Sequence, residues 1–246
     1  MKKSVTIDLW ETIMGEKDYS SFSVSRREKK CKYIYDYLEK IDKNTNIETV
    51  ISAHDFVVRE IAKFSRFHSD LLFIDWIKIF INKINPKLIN KMQEKEIVYF
   101  GDILDQAFLE DPPGIFQGTY ELIEFCKLRN IKLGIISNTG FNSPKAYRKF
   151  MSMNKISYDV ISLSNELGTA KPHSEIFLKT LNNLDTIPKN SIHFGDNPVA
   201  DILGATNIGM DAVLISKNKK KIPVNSSHLI VIDSIKDSLD ILLDWI

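Results

Sequence analysis

The stretch Val5-Thr6-Ile7-Asp8-Leu9-Trp10-Glu11-Thr12 sets the frame for the whole chain. Its apolar, β-branched start predicts a short strand over residues 5–9 that runs into a carboxylate. From about Gly15 to Asp111 the pattern is helical. Cys31, Ile34, Leu38 and Ile41 recur at intervals of three and four, with Lys29, Lys30, Lys32 and Glu39 between them, which marks one buried face. Val50, His54, Val57 and Ile61 predict a second helix and residues 71–84 a third, and Pro86 marks a break before a fourth helical stretch around 89–108. No strand-turn-strand signal interrupts this block. A lone strand is not stable, so the first one must pair with strands beyond the helices.

Those partners come after the breaker Pro112-Pro113-Gly114. Strands are expected at 131–136, 160–163, 191–194 and 212–215. Between them lie helical patterns at 119–128 and 200–207, and one with Ile176, Phe177, Thr180, Leu181 and Leu184 on a single face. Strands alternating with helices imply right-handed crossovers and a parallel sheet. The expected fold class is therefore α/β: a parallel sheet core from 1–14 and 112–246, with an α-helical insertion at 15–111. The insertion must leave the sheet beside the carboxyl end of the first strand. That edge is where open α/β sheets bind ligands, so the helices are expected to form a lid over it.

Composition narrows the function. The chain has 246 residues, enough for one large core or two smaller ones. Lys+Arg at 33 against Asp+Glu at 32 leaves no basic excess, so nucleic acid is not an expected partner. The one local basic cluster, Lys217-Asn218-Lys219-Lys220-Lys221, has no interleaved aromatics and is read as a solvated loop. Cys31 and Cys126 sit in no metal or redox spacing, and the five histidines sit in no metal spacing and are read as structural or exposed. The apolar run before Asp8 is too brief for a secretion signal. Residues 71–84, broken by Asp75, Lys78 and Lys83, are too short to cross a bilayer. The expectation is a cytoplasmic protein with no membrane contact. The 71–84 stretch is read first as core and second as a dimer contact, which leaves monomer and homodimer both open.

Four polar signals follow apolar strands and should project from one edge of the sheet. They are Asp8; Ser137-Asn138 after Leu133-Gly134-Ile135-Ile136; Lys171 in Gly168-Thr169-Ala170-Lys171-Pro172; and Gly195-Asp196-Asn197-Pro198-Val199-Ala200-Asp201 after Ile192-His193-Phe194. This set suits phosphoryl transfer. A carboxylate can attack phosphorus, Asp8 and Asp196 offer oxygen ligands to a hard cation such as Mg²⁺, and Lys171 can offset phosphoryl charge. The Ser137 hydroxyl and nearby backbone N–H groups can hold phosphoryl oxygens.

In this order the four segments resemble the four motifs of the haloacid dehalogenase superfamily, and the early helical insertion resembles its C1-type cap. The resemblance implies a Rossmann-like core, a capped active site and Mg²⁺-dependent hydrolysis of a small phosphate ester or acyl phosphate through an aspartyl-phosphate. By similarity, Asp8 is the nucleophile, Ser137 with Asn138 holds phosphate oxygens, and Lys171 neutralises charge. Asp196, Asp8 and the Trp10 backbone carbonyl would bind the metal, with Asp201 supporting them from a second layer.

One residue departs from that pattern. Phosphatases of the superfamily usually carry a second aspartate two positions after the nucleophile, to protonate the leaving oxygen; here it is Trp10. An indole does not ionise usefully, and a missing general acid–base is typically worth about 10² to 10⁴ in rate. Three readings are open. The first is a phosphatase with a good leaving group or another acid. The second is a haloacid dehalogenase-type C–halogen hydrolase, which has an aromatic at this position and needs no leaving-group proton. The third is a catalytically weak binding protein. Gly195-Asp196 favours the metal-using branch. Glu11 is adjacent, but its side chain is expected to point differently from that of Trp10.

Overall fold

The computed structural model describes residues 2–16, 22–41, 45–216 and 230–246. The basic run at 217–221 and His228 lie outside them. The chain opens with β1 (Ser4–Ile7) and a two-residue strand β2 (Met14–Gly15). Five helices come next: α1 (Phe22–Leu38), α2 (Ile47–Arg66), α3 (Phe73–Ile84), α4 (Pro86–Ile89) and α5 (Glu94–Glu110). Then come β3 (Gly114–Ile115), α6 (Thr119–Leu128), β4 (Lys132–Ser137), α7 (Pro144–Met153), β5 (Val160–Leu163), α8 (Ser164–Leu167), α9 (Ser174–Asn183) and β6 (Ser191–Gly195). A π-helical turn (Pro198–Leu203), α10 (Gly204–Thr206), β7 (Asp211–Ile215), β8 (Ile230–Ile232) and α11 (Ser238–Trp245) complete it.

Six strands form one parallel sheet in the order β5-β4-β1-β6-β7-β8, so the fold is the expected α/β, Rossmann-like one. Side chains alternate between its faces. Val5, Ile7, Leu133, Ile135, Val213 and Ile215 join one core with residues of α6, α7 and α11. Ile136, Ala212 and Leu214 join the opposite core with α9 and α10. β1 pairs with β4 on one side and β6 on the other, which places Thr6 opposite Gly134 and His193. On its second face β1 carries buried polar groups, and each finds a partner. Ser4 Oγ meets Ser191 Oγ at 2.7 Å, and Thr6 Oγ1 meets His193 Nδ1 at 2.8 Å.

Helices α1–α5 build a separate core around Trp76, Phe80, Phe100 and Leu104, and the buried faces of α1 and α2 are the predicted ones. Residues 71–84 bury one face within it: Trp76, Ile77, Phe80, Ile81 and Ile84 point inward. Ile41 does not belong to that face, because α1 ends at Leu38 and Ile41 is about half exposed. The helical pattern also starts later than Gly15. Met14–Gly15 pairs antiparallel with Gly114–Ile115, so a small strand pair ties together the two ends of the insertion. Two residues are too few for a period-2 signal. The connection from 138 to 160, for which no element is expected from sequence, holds α7; Ser143 caps it and Pro144 stands in its first turn.

Polar bonds fix the helical layer onto the sheet. Lys30 Nζ donates to Phe141 O and Asn142 Oδ1, both at 2.7 Å. Asp70 Oδ2 accepts from Ser164 Oγ at 2.6 Å, and Asp105 accepts from both the backbone N–H and the hydroxyl of Ser143.

Candidate active site

The carboxyl ends of β1, β4 and β6 meet at the centre of one sheet edge. Asp8 continues the line of β1, its N–H donating to Phe194 O at 2.9 Å, and its side chain is buried. Past β6, Asn197 starts the next turn: its Oδ1 accepts from Val199 N and Ala200 N. The N–H groups of Asp201 and Ile202 both reach Asn197 O, at 3.0 and 3.3 Å, which gives the wider winding of a π turn. The expected helix at 200–207 is therefore mostly this turn, followed by the short α10. Its winding presses Asp201 against Gly195, where an added Cβ would lie 2.2 Å from Asp201 Cγ. Only glycine allows that approach.

Lys171 Nζ joins the two carboxylates. It donates to Asp8 Oδ1 at 2.6 Å, Asp201 Oδ1 at 2.5 Å and Ile136 O at 2.9 Å, and it is fully buried. Asn138 holds that lysine in place. Its Oδ1 accepts from Lys171 N at 2.7 Å and its Nδ2 donates to Lys171 O at 2.9 Å. Behind Asp201, His193 Nε2 lies 3.1 Å from Oδ1 and links the acid to Thr6 on β1. His193, which metal spacing alone marks only as structural or exposed, is buried and anchors Asp201. The signal that reveals it is a polar pair, Thr6 and His193, facing each other across two central strands.

The charges do not balance. Carboxylate oxygens of Asp8, Asp196 and Asp201 all lie within 4.8 Å of one another, against one lysine. Asp196 accepts no hydrogen bond among the described residues. Burial, then the charges of Asp8 and Asp201, push its carboxyl up to about 7. Burial raises Asp8 to about 6 despite Lys171. Asp201 is also buried, but Lys171 and His193 hold it below the usual carboxylate range. For Lys171, burial opposes the charge, yet Asp201 and Asp8 outweigh it and raise its pKa. A cluster of three carboxylates with one acid left unpaired suits a hard divalent cation with oxygen ligands.

The cluster opens into a cavity of about 510 Å³ that Asp8, Trp10, Asn138, Lys171, Asp196 and Asp201 all line. Ser137 does not: it is wholly buried at the end of β4, and its hydroxyl bonds to Asn138 O at 3.2 Å. Trp10 turns its indole toward the helices, with Nε1 donating to Tyr147 OH at 3.2 Å and the ring tilted against Phe108. Glu11 lies beyond the end of β1. Its φ of 56° is left-handed, so the backbone has left the geometry that would send adjacent side chains opposite ways, and Glu11 lines the same cavity as Trp10. No glycine or asparagine stands there to announce the turn.

The helical layer adds Ser65, Arg66 and His68 from the end of α2, which no strand-end pattern marks in the sequence. Ser69 N bonds to Phe64 O and His68 N to Ser65 O, with His68 at φ 59°: a Schellman stop with histidine in the left-handed position. Asn138 Nδ2 reaches Ser65 Oγ at 3.2 Å, and Ala170 N bonds to His68 O. These contacts fasten the end of α2 beside Lys171.

The sequence pattern of the haloacid dehalogenase-like hydrolases matches residues 2–209. A glyceraldehyde 3-phosphate phosphatase of Methanothermobacter thermautotrophicus is 31% identical over 133 residues, which is 52% of this chain and 58% of that protein. The chain therefore spans little more than half of that relative. A second glyceraldehyde 3-phosphate phosphatase, from Methanocaldococcus jannaschii, is 26% identical over 90% of this chain and 88% of its own length. Among solved structures, a 2-haloacid dehalogenase from Pseudomonas syringae superposes over all of both chains with a TM-score of 0.70 at 18% identity, a likeness of fold. Fold, motif order and sequence agree: this chain belongs to the haloacid dehalogenase-like hydrolases.

Proposed function

We propose that the chain is a Mg²⁺-dependent phosphohydrolase of small phosphorylated metabolites, with 1–14 and 112–246 as its catalytic core and 15–111 as its cap. The observation that carries this reading is Asp196, a half-buried carboxyl without a hydrogen-bonding partner among the described residues, beside Asp8 and Asp201. A C–halogen hydrolase, which needs no cation, has no use for it. A bound Mg²⁺ would be held by Asp8, Asp196 and the Trp10 carbonyl, with Asp201 behind them, and would supply positive charge against the phosphoryl oxygens.

Lys171 fixes Asp8 through Oδ1, and the other carboxylate oxygen is the nucleophile. It attacks phosphorus as the bond to the leaving oxygen breaks, giving an aspartyl-phosphate that water then hydrolyses. Lys171 offsets charge on the transferring group. Asn138 positions Lys171 through its backbone. Trp10 supplies no proton, so substrates with acidic leaving groups are favoured, and Glu11 is the carboxyl at the cavity wall able to serve poorer ones. Phosphatase relatives support a small phosphorylated substrate.

The test is phosphate release from p-nitrophenyl phosphate and acetyl phosphate, with Mg²⁺ and with EDTA. EDTA-sensitive release is expected, and its absence for both substrates defeats the reading. Trp10 favours a second reading, in which 2-haloacids yield halide whether or not chelator is present; a negative haloacid panel removes it. If Asp8→Asn leaves the cellular role intact, the chain acts as a binding protein instead.

A further inference from the structure

The carboxylate centre can recognise one phosphoryl group. The same cavity is lined by a cation that the reaction does not use. Arg66 is the last residue of α2, exposed, and among the described residues its guanidinium has no hydrogen bond or ion pair. One turn earlier on the same helix, Lys63 pairs with Glu60. The place of Arg66 is fixed. The Schellman stop at His68, the Asn138–Ser65 bond and the Ala170–His68 backbone bond hold the end of α2 over Lys171. His68 and Ser65 line the cavity on either side of it and add hydrogen-bonding groups. The acids that line the cavity are Asp8, Asp196 and Asp201 of the carboxylate cluster, together with Glu11. Among the described lining residues, the lysine and arginine of the cavity are Lys171, already held by Asp8 and Asp201, and Arg66.

Resting on the phosphatase reading, we infer that the preferred substrate is two-headed: a small phosphate ester whose far end carries a second anionic group, a carboxylate or another phosphoryl, held by Arg66. A guanidinium presents paired donors that match either group. The reaction at phosphorus is unchanged; Arg66 acts by binding and orienting the end that does not react.

Glyceraldehyde 3-phosphate and 3-phosphoglycerate form the discriminating pair, since they differ by an aldehyde against a carboxylate. Wild type should favour 3-phosphoglycerate in kcat/KM by about ten- to a hundredfold, mostly through KM. Arg66→Gln should collapse that ratio to near one, and Arg66→Lys should restore part of it, with melting temperatures unmoved. Binding to Mg²⁺-loaded protein is measured separately with 3-phosphonopropionate, methylenediphosphonate and propylphosphonate, none of which can be hydrolysed. At least one of the first two should bind more tightly than propylphosphonate, and the one that does identifies the second group; Arg66→Gln should erase the difference. Equal affinity for all three in wild type, or a preference that survives Arg66→Gln, overturns the inference. If no ester is hydrolysed yet the Arg66-dependent preference persists, the two-headed site stands and the phosphatase reading falls.

Discussion

The strand-end carboxylate centre and the end of α2 face the same cavity but are built on opposite terms. At the centre, five groups from four segments are locked together, all buried but the half-buried Asn138: Asp8, Asn138, Lys171, His193 and Asp201 each hold another. At the end of α2, the backbone is equally well fixed, but the working side chain is exposed and unpaired among the described residues. Chemistry needs preorganised charge, which tolerates no slack. Selection needs a group that is free until the ligand arrives. Substitutions at the first place should therefore cost rate above all, and substitutions at the second should change preference alone.

The largest effect tests the first half of that contrast. Asp8→Asn should lower phosphate release by at least about a thousandfold, since it removes the nucleophile. A fall of less than about tenfold in steady-state assays would rule out Asp8 as the attacking group. Trp10→Asp should raise turnover of alkyl phosphates by about ten- to a hundredfold and that of p-nitrophenyl phosphate much less, because only the former needs a strong acid. Equal changes for both would point to lost indole packing against Phe108 and Tyr147 instead.

Gly195→Ala should cost about 1–3 kcal/mol in urea unfolding and depress activity, because the new methyl group displaces Asp201. A neutral result would mean that the π turn yields easily. Protonation gives the next effect. In the metal-free protein Asp8 and Asp196 titrate near 6 and 7, above the 3.8 of an ordinary aspartate. For acids raised by folding, the stability they contribute is intact at low pH and lost as pH rises through the folded values. A cation then takes the place of the protons, so the Mg²⁺-induced rise in melting temperature should be small near about pH 5.5 and grow toward about pH 8. A shift independent of pH would contradict the unpaired-acid picture. Smallest of all, Arg66→Gln should change unfolding free energy by no more than about 0.5 kcal/mol, whatever it does to substrate preference.

The two regions also differ in how far they can be read from sequence. The centre is legible because each group follows an apolar strand, and parallel topology carries strand ends to one edge: Asp8, Lys171, Asp196 and Asp201 do converge there. Ser137 shows the limit, since a position at a strand end does not fix which way a hydroxyl turns. Glu11 shows another: alternation holds only while the backbone stays extended, and its left-handed φ ends that without glycine or asparagine to signal it. The insertion is visible as a helical block, and its buried faces follow from spacing. Which residue at a helix end overhangs the cavity is not visible, because that depends on tertiary bonds such as Asn138–Ser65 that join segments 73 residues apart. The short pair β2–β3 escapes for lack of length.

The most direct test of the central claim is to trap the covalent intermediate. Protein turning over acetyl phosphate with Mg²⁺ would be quenched in acid, reduced with borohydride and mapped by peptide mass spectrometry. Modification is expected at Asp8 and should be absent when EDTA replaces the metal. Modification at another residue, or steady turnover with Asp8 unlabelled, would contradict an aspartyl-phosphate route through this carboxylate.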